Sequence, residues 1–260
     1  MFSGFKLDCT IDSPRLHAQG ELLYNKSNNE IITQLSSYIS SNGSLDGTKI
    51  TNDWFPEMAA DIFISHSHNN KTEAVTLAGW LNENFGLSVF IDSCIWGNSI
   101  DLQKIVDNAY CRLKTGNYNY DARNYSTAHI HMILASALSQ AINKAECLMF
   151  LKTPESICVA DIDNKTNSPW IYFELVTSKT INRKLPIRRR RMIKKAGLRE
   201  LAEDVSKLKI EYLAPLDHLV QLSNKDLNAW KLAHEQGQIK MHPLDILYNL
   251  YPTSIQNHED

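Results

Sequence analysis

The sequence predicts an α/β domain built on a central, mostly parallel five-stranded sheet across residues 58–215. Three observations lead there. Short apolar runs at 61–65, 87–91 and 147–151 read as buried strands, because strands covered on both faces carry continuous rather than alternating apolar residues. Helical periodicity separates them: Ala74, Leu77, Ala78, Leu81 and Phe85; then Leu102, Ile105, Val106 and Ala109; then Ile130, Ile133, Leu134, Ala137, Leu138, Ala141 and Ile142. Such strand–helix alternation needs crossover connections, which favour parallel pairing with helices on both faces.

Local signals punctuate these elements. Gly86 ends the first helix, since glycine tolerates the left-handed conformation of a C-terminal cap. Ser168 caps a later helix with Pro169 at its first position, and that helix extends to about residue 181. Residues 93–99 read as a polar loop, and 113–126, rich in Asn and Tyr, as a surface insert. A fourth strand is expected near 184–187 and a fifth near 209–213.

The flanks read as additions. In the N-terminal accessory segment, 1–57, Leu22, Leu23, Ile31, Ile32, Leu35, Tyr38 and Ile39 suggest one helical face, followed by a polar linker at 41–48. Residues 216–260 form a C-terminal helical extension expected to pack on the domain through Leu219, Leu222, Leu227, Trp230, Leu244, Leu247 and Leu250.

Bulk properties exclude several function classes. At 43% hydrophobic and 22% charged residues, the chain can bury a sizeable core. A net charge of −2 gives no general attraction to nucleic acid or an anionic membrane. No apolar run approaches the roughly 18 residues of a membrane helix, and residues 1–15 lack the basic-then-apolar order of a secretory signal. The cysteines (Cys9, Cys94, Cys111, Cys147, Cys158) are odd in number and scattered without a CxxC pair, so reduced thiols and a cytoplasmic location are expected. Basic residues cluster at Arg183, Lys184, Arg188, Arg189, Arg190, Arg191, Lys194 and Lys195. Such a run reads first as a solvated face, and otherwise as an attractor of a pyrophosphate or an acidic partner. No GxGxxG, GxxxxGK[ST] or GxSxG motif is present. His66-x-His68 lacks further ligands at metal-like spacing, so no metal is expected.

Parallel sheets bind ligands at the carboxyl ends of their strands. That places residues 66–70, 92–99 and 153–168 around one cleft. In Ser168-Pro-Trp-Ile-Tyr-Phe-Glu174, Trp170 and Glu174 are four apart on a helix and share a face. An indole beside a carboxylate suits a planar cationic heterocycle.

The ordered set DIFISHS (61–67), SVFID (88–92), IWGNSI (95–100), CLMFL (147–151) and SPWIYFEL (168–175) resembles the Toll/interleukin-1 receptor (TIR) domain, particularly its bacterial members. The resemblance covers about 58–182 and implies a flavodoxin-like fold. Many bacterial and plant TIR domains, and an animal neuronal one, cleave NAD+ with a glutamate four residues beyond a tryptophan in the helix after the third strand. Glu174 and Trp170 match those positions. The resemblance assigns substrate binding to Trp170, Ser65, His66, Ser67, Asp92, Trp96 and Gly97, with NAD+ as substrate and no cofactor. It also implies self-association, a role in antiphage defence, and a separate effector that responds to a nucleotide product. A non-enzymatic TIR scaffold is the alternative. The insert at 113–126 and both flanks have no counterpart in the family pattern.

Overall fold

The computed structural model describes residues 1–27, 35–55, 60–91, 93–157, 164–186, 188, 211–237 and 241–252. At its centre lies a five-stranded, all-parallel sheet with the order β3-β2-β4-β1-β7: Val89–Ile91, Ile62–Ser65, Cys147–Leu151, Ser3–Asp8 and Val220–Ser223. The expected α/β architecture is therefore present. Three of its strands, β2, β3 and β4, are those marked by the apolar runs.

The other two strands correct the sequence reading. Residues 3–8 are not part of an accessory segment. They form β1, an interior strand between β4 and β7, with Phe5 and Leu7 fully buried. The fifth strand comes from the tail: Leu222, expected on a helix, lies in β7 at the sheet edge. Residues 182–186 form no strand, although the Lys184 amide donates to the Met1 carbonyl beside β1. Tyr212–Leu213 (β6) pairs antiparallel with Lys165–Thr166 (β5) in a separate small sheet; of the rest of the expected fifth strand, Glu211 is in no strand and residues 209–210 lie outside the described residues.

Helices cover both faces of the sheet. On one face, Phe63, Phe90, Leu148 and Phe150 pack under α2 (Gly47–Trp54), α4 (Ser93–Val106), α5 (Tyr120–Lys144) and α6 (Pro169–Thr180). On the other, Phe5, Leu7, Ile62, Ile64, Met149 and Leu222 pack under α1 (Pro14–Ser27), α3 (Lys71–Phe85), α7 (Asn224–Gln236) and α8 (Pro243–Leu250). The C-terminal helices α7 and α8 pack here through Leu227, Trp230, Leu244 and Leu247. At the seam between α1 and α3, a side chain on Gly79 would collide with the Leu16 carbonyl oxygen, and one on Gly20 with that of Val75. Two glycines thus let these backbones touch.

Two more boundaries differ from the sequence reading. The expected loop 93–99 is the start of α4. Positions 95, 99, 102 and 106 recur at helical spacing, and a single interior glycine (Gly97) costs only about 1 kcal/mol. In the 113–126 insert, Asn119 accepts a hydrogen bond from the Ala122 amide and caps α5, so 120–126 are helical. Gly86 ends α3 with φ 66° as expected, and Ser168 caps α6 through the Ile171 amide.

Candidate functional site

The strand order reverses at β2, which continues to β3 on one side and borders β4 on the other. The carboxyl ends of these strands define the cleft position. Alternation along β2 turns Ser65 toward the face of Phe63, under α6. There the Ser65 hydroxyl donates to Glu174 Oε2 at 2.6 Å. The capped first turn of α6 sets Glu174 at that height, and Ile171 and Leu175 anchor the helix in the core. Glu174 is 0% exposed, so its carboxyl is closed over in this conformation.

The loops after β2 and β4 are tied together. Thr153 Oγ1 donates to Asn70 Oδ1 at 2.7 Å, across the point where the order reverses. Ser156 Oγ donates to the Leu151 carbonyl at 3.0 Å and accepts from the Thr153 amide at 2.8 Å, which shapes the turn leaving β4. The sequence pattern placed Asn70 and Thr153 in loops around the cleft but did not pair them, because the bond between them forms only through the tertiary fold.

The other expected site residues separate into groups. His66 is buried and Ser67 half-buried, both directly after Ser65. Trp170 lies one turn before Glu174, but its ring packs edge-on against His131 of α5, centroids 5.5 Å apart, and against Phe173. Asp92 and the Trp96 side chain lie outside the described residues, although the backbone at 96–97, Gly97 included, belongs to α4.

The basic run is tied to the other end of the sheet where it is described. Arg188 makes two hydrogen bonds to Glu146, 2.7 and 2.6 Å, just before β4, and a third to Asp245 of α8 at 2.7 Å. Lys184 donates to Asn143 and Arg183 to the His218 carbonyl. Residues 189–195 lie outside the described residues. The histidines at 66 and 68 belong to no metal-like group: among the described residues there is no cluster of three or more His, Cys, Asp or Glu that could hold an ion.

One turn below Glu174, Ser178 Oγ lies 2.8 Å from His218 Nε2. Burial, then the nearby Arg183 guanidinium, pulls the His218 imidazole down to about 4. Its ordinary value is 6.5, so between about pH 6.5 and 4 the unfolded chain takes up a proton that the folded chain does not, and stability falls as pH drops through that window. Urea unfolding at pH 7 and pH 5 is expected to show that His218→Gln removes about 2 kcal/mol of this pH-dependent loss. Equal pH dependence in both proteins would count against the assignment.

Among the described residues no helix is long and apolar enough to cross a membrane. Comparison with protein-family models, with curated proteins and with solved structures finds no match.

Proposed function

We propose that this chain is a TIR-type NAD+ nucleosidase or ADP-ribosyl cyclase that breaks the nicotinamide–ribose bond, with Glu174 as the catalytic residue. The observation that carries the reading is the Ser65–Glu174 hydrogen bond at the carboxyl ends of a parallel sheet, where the strand order reverses. It joins two residues assigned to one site from sequence segments far apart.

The chemistry asks little of the protein. The nicotinamide of NAD+ departs from a cationic state, so its leaving group needs no proton. The glycosidic bond breaks through an oxocarbenium-like ribose, and a single carboxylate steadies that positive charge while accepting from the ribose hydroxyls. Water attack at the anomeric carbon gives ADP-ribose, whereas attack by a second nucleophile of the same molecule gives a cyclic product. Exclusion of water decides between them. Because the carboxyl is closed over, the described conformation is a resting one: Ser65 holds the carboxylate that ribose hydroxyls take over when the site opens. Self-association is the expected trigger. The thiols of Cys9, Cys111 and Cys147 are unpaired by disulfides, which fits a cytoplasmic setting. An antiphage role, with the product read by a separate effector, completes the reading.

Chromatography of NAD+ incubated with the protein, dilute and crowded, tests it. Nicotinamide release is expected, with Glu174→Gln lowering the rate by about 10²–10³-fold. Full activity in that variant, or no release from the wild-type protein in any assembled state, would overturn the proposal.

A non-enzymatic scaffold is the second reading, favoured by the burial of Glu174 and by the exposed Tyr110, Tyr120, Tyr125 and Met132 on the α4–α5 side. In that case the Ser65–Glu174 bond is a structural tie, and assembly proceeds equally well in Glu174→Gln.

A further inference from the structure

Two lysines stand on the same face of the sheet as Ser65 and Glu174. Phe5 and Leu7 face α3, so alternation turns Lys6 of β1 to the opposite face, that of Phe150, its partner in register. Ser65 is the partner of the same Phe150 on the other side. Pairing continues one residue past β4, where the Lys152 amide donates to the Leu7 carbonyl at 2.9 Å. Alternation from Phe150 then places Lys152 on the face of Lys6. Strand spacing and rise set the two lysine backbones roughly 8 Å apart, and put Ser65 roughly 8 Å from Lys152 and 10 Å from Lys6.

Both side chains are half-buried, and neither makes a hydrogen bond or ion pair among the described residues. Interior strands of parallel sheets are ordinarily apolar, and buried lysines are ordinarily paired. Two like charges on neighbouring strands also repel each other unless an anion lies between them. Asp8, on the same face at the end of β1, is exposed and makes no ion pair with either lysine among the described residues.

We infer that Lys6 and Lys152 form the diphosphate-binding site of a dinucleotide whose ribose is held at Glu174. This rests on the proposed NAD+ reading and extends it to a substrate class. In such a molecule only a ribose ring and its C5′ link separate the anomeric carbon from the diphosphate. A group anchored at Ser65 and Glu174 therefore brings its phosphates over β4 and β1. The two arginines and one lysine described in the 183–188 stretch are bound at the amino ends of the strands and do not compete for this role.

The test compares wild-type protein with Lys6→Gln, Lys152→Gln, the double variant and Lys6→Arg. Calorimetric titration with ADP-ribose is expected to show affinity about ten- to a hundredfold weaker in each Gln variant, with Lys6→Arg close to wild type. In turnover, KM for NAD+ should rise by the same factor at similar kcat, while cleavage of nicotinamide riboside, which has no phosphates, should not change. Unchanged ADP-ribose affinity in the double variant, or equal losses on both substrates, overturns the site. The two proposals fail separately. Glu174-dependent cleavage that ignores both lysines sinks the diphosphate site alone. Lysine-dependent ADP-ribose binding without turnover sinks the enzyme alone. A wild-type protein that neither binds nor cleaves sinks both.

Discussion

A fragment of residues 58–215, the piece that strand–helix alternation delimits, is expected to be unfolded. It retains β2, β3 and β4 but lacks β1 and β7, so β4 loses one of its two neighbours and one face of the sheet keeps only α3 as cover. Phe5, Leu7, Leu222, Trp230, Leu244, Leu247 and Tyr248, all buried, leave with the flanks. Each such side chain contributes about 1.5–3 kcal/mol by burial. Together, at about 10–20 kcal/mol, they match or exceed the net stability of about 5–15 kcal/mol typical of a domain. Circular dichroism and urea titration would check this. Cooperative unfolding of the fragment, at a midpoint near that of residues 1–252, would mean the flanks are additions after all.

The second large effect lies at the seam of α1 and α3. Gly79→Ala is expected to cost about 3 kcal/mol, because the new methyl meets the Leu16 carbonyl oxygen and neither backbone can retreat alone. For a chain of this size that lowers Tm by about 10 °C. Gly47→Ala is the control: it opens α2, and beyond its chain neighbours and the helix's own backbone no described atom lies within 4 Å of the added carbon. Its effect on Tm should be within a degree or two of zero, or slightly stabilising, since alanine favours the helix. Similar losses at both positions would show that the close approach of the helices does not set the cost.

These two results bear on what the sequence made legible. The apolar runs of β2, β3 and β4 announced themselves because each holds at least three consecutive apolar residues. In β1 the apolar positions alternate with Gly4 and Lys6 over a short span, so neither a continuous run nor a long alternation emerges. Register, and with it the central place of β1, depends on partners far along the chain. The helix at 93–106 was hidden by its polar opening and by Gly97, which weigh against a helix locally and are outweighed by Leu102 and Val106 in the core.

At the candidate site, the resemblance alone pointed to Ser65, whereas Glu174 also stood out in the residues themselves, one turn beyond Trp170 on a capped helix, and the hydrogen bond between the two comes from the tertiary fold. What the pattern could not supply was the degree of closure around the carboxyl, or the direction of the Trp170 ring, which α5 fixes through His131. Lys6 was invisible as a candidate for the same reason that β1 was: without a strand assignment, it had no face to point from.

The place of β1 has a consequence for how the chain is made. This strand leaves the ribosome well before the segments that flank it, 147–151 and 220–223. The nascent chain therefore carries this strand with both edges open until residues 147–151 emerge, and with one edge open until residues 220–223 follow. Such distant pairings fold slowly and expose sticky edges meanwhile. Yield in cells should depend on chaperone supply, and stalling translation before residue 220 should leave the product prone to proteolysis.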